Sequence, residues 1–215
     1  MPAYAQPLDD ILGSRAKVRV CRILLTTSEA LSAREIGRRT GTAKRSVDLA
    51  LVDLLQLGLV VRQGSSSVSP YRINRRHVLV EHALAPLFLG EDETMQEMFA
   101  ALRKMVIAEA VLAKSGLAWA GVFGSMARGD HTIESDLDLA VIVDDRTATS
   151  RVHDALSDQA PSFTSRFGRR LSPLVMSSSQ FGRMLKDRDS LALTMVRDGR
   201  RLAGTVHELE HLADG

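Results

Sequence analysis

The sequence predicts a two-domain protein of the α+β or α/β class. Before residue 77, three helical segments are followed by two short strand-like segments, and after residue 116 strand-length apolar runs occur. The two halves of the chain also carry opposite net charge. From these observations we expect an N-terminal domain at 1–77, a helical connector at 78–115 and a C-terminal, sheet-containing domain at 116–215.

Charge divides the chain into a basic and an acidic part. The 215 residues have a net charge of +2, but residues 1–80 hold 13 Lys and Arg against 6 Asp and Glu, whereas residues 81–215 hold 15 against 20. This asymmetry favours two domains with different partners. Nucleic acid is the candidate partner of the basic part.

Composition excludes a membrane protein and indicates the cytoplasm. No apolar run approaches the roughly 18 residues that a membrane span needs, and the first seven residues lack the pattern of a secretory signal. The single cysteine, Cys21, cannot form an intramolecular disulfide, which fits a reducing compartment. We interpret Cys21 as a small buried side chain of a helix.

The N-terminal pattern is that of a helix-turn-helix. A helical stripe at Ser14–Leu25 precedes Ser32 and Glu35, which form a capping-box pattern at the start of a short helix. Gly41 is expected to end that helix, and Thr42 to cap a longer one that closes at Gly58.

A strand pair follows the longer helix and completes the pattern of a winged helix. Leu59–Arg62 and Ser69–Ile73 have strand character, and Gln63–Ser67 has the composition of a flexible turn. The stretch Leu31–Ile73 resembles the winged helix-turn-helix domains of bacterial transcription regulators, including the L-x-x-L-G-L-V exit from the recognition helix.

Positive and polar residues gather where such a domain would meet double-stranded DNA. In helix-turn-helix docking, the start of the second helix enters the major groove. The alternatives are a solvated helix face or a protein–protein module. The candidate DNA-binding residues are Arg38, Arg39, Thr42, Lys44, Arg45, Ser46 and Arg62.

The connector is predicted to be helical, with helices over His77–Leu89 and Thr94–Leu112. We expect breaks at Pro86 and at the acidic turn Gly90–Glu93. The second helix carries a methionine-rich apolar stripe that we expect to pack on the following sheet. Formation of a homodimer through this stripe is an alternative that the sequence leaves undecided.

The chemistry is concentrated where a strand ends in Gly124-Ser125. A strand that turns through Gly-Ser into a helix start directs free backbone N–H groups at one point, where a phosphate can bind. Asp136 and Asp138 follow on a predicted strand, where alternation places both carboxylates on one face. Such a pair favours a divalent cation with oxygen ligands, Mg²⁺ or Mn²⁺, that also contacts nucleotide phosphates.

The segment GVFGSMARGDHTIESDLDLAVIV resembles the signature of the DNA polymerase β-type nucleotidyltransferase superfamily, and in particular its minimal nucleotidyltransferases. The resemblance implies a mixed sheet flanked by helices and an NTP ligand, with ATP expected. It implies that Gly124 and Ser125 bind phosphates, that Asp136 and Asp138 hold the catalytic metals, and that Arg128 adds a phosphate contact.

The resemblance also identifies a departure at Ser172. Active members of the superfamily usually carry a third carboxylate on a neighbouring strand, and Arg169–Met176 is the expected strand here. The matching position is Ser172, and a serine cannot serve as a base or as a strong metal ligand. Glu134, Asp130 and Asp144 are possible substitutes that spacing does not place at the site.

Three functional hypotheses follow. The first is a DNA-binding regulator with a metal-nucleotide-binding domain. The second is an active enzyme that moves an NMP from an NTP to a hydroxyl of a protein, an RNA or a small molecule. The third, by resemblance only, is the antitoxin of a toxin–antitoxin pair with a protein partner. A zinc-protease pattern, H-E-x-x-H at His207–His211, is interpreted as a solvated terminal helix.

Overall fold

The computed structural model describes residues 7–64, 69–130, 132 and 134–204. The chain forms two compact units, Met1–Glu93 (unit 1) and Thr94–Gly215 (unit 2), and their boundary lies inside the predicted connector. Two sequence predictions lie wholly or partly outside the described residues: the histidine pattern at His207–His211, and the Ser65–Ser67 part of the turn predicted at Gln63–Ser67. None of the described helices has the length and apolarity that a membrane span requires.

Among its described residues up to Ile73, unit 1 contains four helices and a two-stranded antiparallel sheet. The sheet pairs Val60 with Ile73 and Arg62 with Tyr71. In chain order the elements are α1 (Pro7–Leu12), α2 (Arg15–Thr26), α3 (Ala33–Thr40), α4 (Lys44–Gln56), β1 (Val60–Arg62) and β2 (Tyr71–Ile73).

The helix ends of α3 and α4 follow the sequence signals in part. The Ser32 hydroxyl accepts the N–H of Glu35 at 3.2 Å, and Gly41 ends α3 in the left-handed conformation with φ 60°. Thr42 does not cap α4, and the prediction that it does is wrong. The Thr42 N–H donates to Gly37 O, so Thr42 belongs to the end of α3. The N-cap of α4 is therefore the next residue, Ala43.

The core of unit 1 lies between α2, α3 and α4 and the inner side of the hairpin. Cys21 is buried there, as predicted, and burial raises the pKa of its thiol to about 12. The fully or almost fully buried members that fill the centre of this core include Val20, Leu24, Ile36, Val47, Leu51, Leu54 and Leu59.

The two predicted helices of the connector are one helix, α5 (Ala85–Leu112). The predicted breaks at Pro86 and at Gly90–Glu93 are therefore wrong. Pro86 follows π-helical Val80–Leu84, and the Ala85 N–H donates to Val80 O, so the α-helical hydrogen-bond pattern is already interrupted where the proline lacks its N–H. The acidic residues at 91–93 are exposed, so no burial of charge counteracts the helix preference of glutamate, and the helix continues through them.

Unit 2 is a mixed four-stranded sheet in the order β5-β4-β3-β6, flanked by helices. Strands β4 and β5 are parallel, and the other neighbours are antiparallel. After α5 the elements are β3 (Leu117–Phe123), α6 (Gly124–Arg128), β4 (Leu137–Val143), α7 (Thr149–Phe167), β5 (Leu171–Ser177), α8 (Ser178–Lys186), α9 (Ser190–Asp198) and β6 (Arg200–Gly204), with a 3₁₀ turn at Arg146–Ala148.

Alternation along the strands gives the sheet of unit 2 two apolar faces. Leu137, Leu139 and Val141 of β4 pack with α5 and α7, whereas Ala140 and Ile142 pack with α8 and α9. The expected packing of the methionine-rich stripe on the sheet is confirmed, since Met98, Phe99, Leu102 and Val106 belong to the first of these cores. Coverage of both faces fixes β4 firmly and with it the residues at its start.

Replacing Leu102 by alanine tests this packing. Leu102 is fully buried in α5, so Leu102→Ala should lower the free energy of unfolding of unit 2 by about 2–5 kcal/mol through lost burial and a cavity. Leu112→Ala is the matched control, because Leu112 lies in the same helix and is 73% exposed. Equal losses in urea denaturation of the two variants would contradict the assignment of α5 to the core.

Candidate functional site

The site begins where β3 ends and α6 starts. Gly124 has φ 71°, a left-handed conformation that glycine adopts without strain, and Ser125 follows it at the start of α6. Because α6 has only five residues, binding of an anion at its start would depend on local N–H groups and the serine hydroxyl rather than on the dipole of a long helix. Both Gly124 and Ser125 are half-buried.

The two predicted metal ligands lie at the start of β4. Leu137 and Leu139 are fully buried, whereas Asp136 and Asp138 are half-buried, which is the alternation that the sequence predicts. Asp138 is paired with Phe123 across the β3–β4 ladder. A Cβ built on Gly124 would overlap Asp138 Oδ2, so the carboxylate lies directly against the glycine backbone.

The charges around Asp138 show how the carboxylates are arranged. Burial raises the pKa of Asp138, the negative charge of Asp136 raises it further, and the positive charge of Arg128 opposes both effects. A bound cation would relieve the repulsion that Asp136 exerts on the ionised form of Asp138. Mg²⁺ commonly binds through one or two carboxylates together with phosphates and waters, so this donor set fits it.

Two arginines lie near the carboxylates. Arg128 donates from Nε to Asp130 Oδ2 at 3.1 Å, and its charge also reaches Asp198 at the end of α9. Arg170 Nε is 4.0 Å from Asp136 Oδ2. Sequence reasoning did not single out Arg170, although its place just before a strand that runs parallel to β4 was a usable signal.

The predicted register of Ser172 is confirmed. In the parallel β4–β5 ladder, Ser172 is the partner of Asp138, and its side chain is exposed. Asp144 cannot take the place of the third carboxylate, because it follows the far end of β4 and accepts a hydrogen bond from Ser178. Asp130 is paired with Arg128. Among the described residues no group of three Asp, Glu, His or Cys side chains could hold a metal.

The candidate DNA-binding residues lie in unit 1, and several already have partners. Glu35 accepts from Arg38 and Arg39, and Lys44 Nζ lies 2.7 Å from Asp48. The remaining candidates differ in their surroundings. Arg62 donates to the Tyr71 hydroxyl at 2.9 Å, and Thr42 is half-buried. Arg45 and Ser46 are exposed.

Substitution of Gly124 tests the contact with Asp138. Both Gly124→Ala and Gly129→Ala place alanine at positive φ, which should destabilise each variant by about 1–2 kcal/mol. Only Gly124→Ala brings a Cβ onto Asp138, whereas a Cβ at Gly129 meets nothing within 4 Å. We therefore expect Gly124→Ala alone to lose Mn²⁺ binding measured by electron paramagnetic resonance. Equal Mn²⁺ affinity in the two variants would contradict the proposed contact.

Comparison with known proteins supports the C-terminal part of the sequence interpretation. Two solved structures are similar: a toxin–antitoxin with AMP-PNP (20% identity, TM-score 0.34, 52% of this chain and 81% of that chain) and a mutant of the toxin–antitoxin MntA-HpeT (18%, 0.33, 52% and 80%). No curated protein matches the chain. Residues 104–172, which contain the whole candidate site, match the family model described as a nucleotidyltransferase domain.

Proposed function

We propose that unit 2 binds a nucleoside triphosphate with a divalent cation and transfers the NMP to a hydroxyl, with pyrophosphate leaving. The observation that carries this proposal is the placement of the Asp138 carboxylate directly against the Gly124 turn, with Asp136 beside it. A phosphate held at that turn lies within reach of a cation held by the two carboxylates. The match of residues 104–172 to a nucleotidyltransferase domain supports the same chemistry.

Each residue has a defined part in this proposal. Asp136 and Asp138 would hold Mg²⁺ or Mn²⁺, which when bound neutralises phosphate charge and aligns the reacting groups. Ser125 and the N–H groups of the turn at Gly124 bind phosphate oxygens. Arg128 and Arg170 add positive charge beside the carboxylates. NTP, with ATP expected, is the ligand that this arrangement favours.

Deprotonation of the acceptor is the weak point of the site. Ser172 occupies the register position of Asp138 on β5, and an uncharged hydroxyl does not accept a proton at neutral pH. The acceptor proton therefore leaves to solvent or to the nucleotide, which predicts slow transfer. The acceptor hydroxyl belongs to a protein, an RNA or a small molecule.

Transfer of label from α-³²P-ATP tests the enzyme directly. Asp138→Asn should abolish labelling, because it removes the charge that holds the cation. Ser172→Asp should raise the rate by about tenfold or more by supplying a base opposite Asp138. Ser165→Asp is the matched control, since Ser165 is exposed on α7 and the charge change is the same. Labelling that persists in Asp138→Asn would overturn the site assignment.

A second candidate function is binding of double-stranded DNA by unit 1. Its support is the order of α2, α3, α4 and the β1–β2 hairpin, together with the exposed Arg45 and Ser46 at the start of α4. In this version nucleotide binding by unit 2 regulates DNA affinity. A regulator of this kind should bind a defined DNA site with an affinity that falls steeply with salt.

Glu35 holds two of the candidate DNA-binding residues, Arg38 and Arg39, in ion pairs. Hydrogen bonds from Arg38 and then Arg39 lower the pKa of Glu35 to about 2, so both pairs are intact at neutral pH. Glu35→Gln frees both guanidinium groups for phosphates and should strengthen DNA binding about tenfold at low salt. Glu81→Gln, an exposed carboxylate of the same unit, is the control for net charge. Equal gains in fluorescence anisotropy would show that only net charge matters.

A protein partner is the third candidate. The antitoxin alternative rests on the resemblance of the Gly-Ser and Asp-x-Asp motifs, because TM-scores of 0.34 and 0.33 do not establish a shared assembly. Co-purification of a stoichiometric partner from the native source tests it. A homodimer would instead appear as a doubled mass in light scattering.

A further inference from the structure

Unit 1 has a cavity that the site described above does not use. Its volume is about 510 Å³, and three arginines, Arg72, Arg75 and Arg76, line it together with the hydroxyl-bearing Thr27 and Ser28. We propose that this cavity is a binding site for the phosphate chain of a small polyphosphorylated ligand. The inference is independent of the proposed nucleotidyl transfer, since all of these residues lie in unit 1.

Arg72, Arg75 and Arg76 reach one cavity because of the geometry of β2 and of the turn that follows it. Tyr71 and Ile73 are buried, so alternation places Arg72 on the outer side of the hairpin, opposite Val61. Arg75 and Arg76 follow in the turn directly after the strand, and both are exposed. Thr27 and Ser28 approach from the turn that ends α2.

Hydrogen bonds hold the walls of the cavity in place. Arg75 donates from Nη2 to Leu25 O at 2.7 Å, which fixes its guanidinium at the end of α2. Asn74 anchors the same turn, because its N–H donates to Leu59 O at 2.8 Å and its side chain donates to Gly58 O at 3.0 Å. A donor that is fixed in advance, as Arg75 is, loses less entropy when a ligand binds.

The shared cavity, rather than the lack of an ion pair, distinguishes this cluster from the other cations of unit 1. Five of those cations have carboxylate partners: Lys17, Arg22, Arg38, Arg39 and Lys44. Within the described part of the chain, no carboxylate forms an ion pair with Arg72, Arg75 or Arg76. An anion bound in the cavity that these three residues line would accept N–H groups from their guanidinium groups and reduce the repulsion among their charges.

The size of the cavity indicates the class of ligand. At about 510 Å³ it is in the range of pockets that hold small molecules, and it is far larger than one phosphate ion needs. Three arginines match the charge of a di- or triphosphate. A DNA duplex is too wide to enter such a cavity and would contact only its rim.

The test measures binding of inorganic tripolyphosphate to the full-length chain by calorimetry in EDTA. The Asp136→Ala/Asp138→Ala background, together with EDTA, removes cation-dependent binding at the site of unit 2, so the comparison of the two arginine variants reports on unit 1. We expect binding that Arg72→Gln/Arg76→Gln weakens at least about tenfold, because two charge-assisted contacts are lost. Arg15→Gln/Arg34→Gln is the control, as it removes the same charge from exposed positions elsewhere in unit 1.

Three outcomes would overturn the proposal. The first is absence of binding at millimolar tripolyphosphate. The second is an equal loss of affinity in the two double variants, which would indicate diffuse attraction. The third is unchanged tripolyphosphate affinity with weakened binding of duplex DNA in Arg72→Gln/Arg76→Gln, which would assign the cluster to the DNA backbone. Circular dichroism of both variants confirms that they are folded.

Discussion

The contact between the Asp138 carboxylate and the backbone of Gly124 is the constraint on which the candidate site depends. It exists because β3 and β4 are paired with Phe123 opposite Asp138, so the end of one strand meets the start of the other. Only a residue without Cβ permits this approach, and the left-handed φ of Gly124 then turns the chain into α6. Two adjacent strands thus place the Gly124 turn, which we propose binds phosphate, next to the carboxylates that we propose hold the cation.

The same sheet explains why the site is incomplete as an acid–base centre. The parallel ladder between β4 and β5 places residue 172 beside residue 138, and the chain has serine there. Arg170, two residues earlier, lies near Asp136 and adds positive charge beside the carboxylates. In the proposed function, this arrangement favours binding of a nucleotide phosphate more than removal of a proton from an acceptor.

Sequence patterns predicted those parts of the structure that depend on local geometry. Alternation in β4 follows from strand period and the end of α3 at Gly41 follows from glycine's freedom, whereas the register of Ser172 was implied by the resemblance. All three are present. Winged-helix identity and DNA binding stay predictions. The continuity of α5 was missed because a π-helical turn before Pro86 is set by the fold rather than by composition.

Features made by residues distant in sequence were beyond sequence reasoning. Arg170 meets Asp136 only through strand pairing, and the cluster of Arg72, Arg75 and Arg76 faces a cavity only because the α2 turn lies opposite them. Spacing reports neither fact. Ion pairs also change what predicted residues can contact. Arg38 and Arg39 are candidates for DNA phosphates in the sequence, but both are paired with Glu35 in the structure.

Calorimetric titration of Mg²⁺-ATP into the wild-type chain and into Asp136→Ala/Asp138→Ala tests the central claim most directly, because it requires no knowledge of the acceptor. We predict saturable binding by the wild type at one site, lost in the double variant and lost when Mg²⁺ is omitted. The result that would contradict the account is equal binding by both proteins, or no binding by the wild type at millimolar nucleotide.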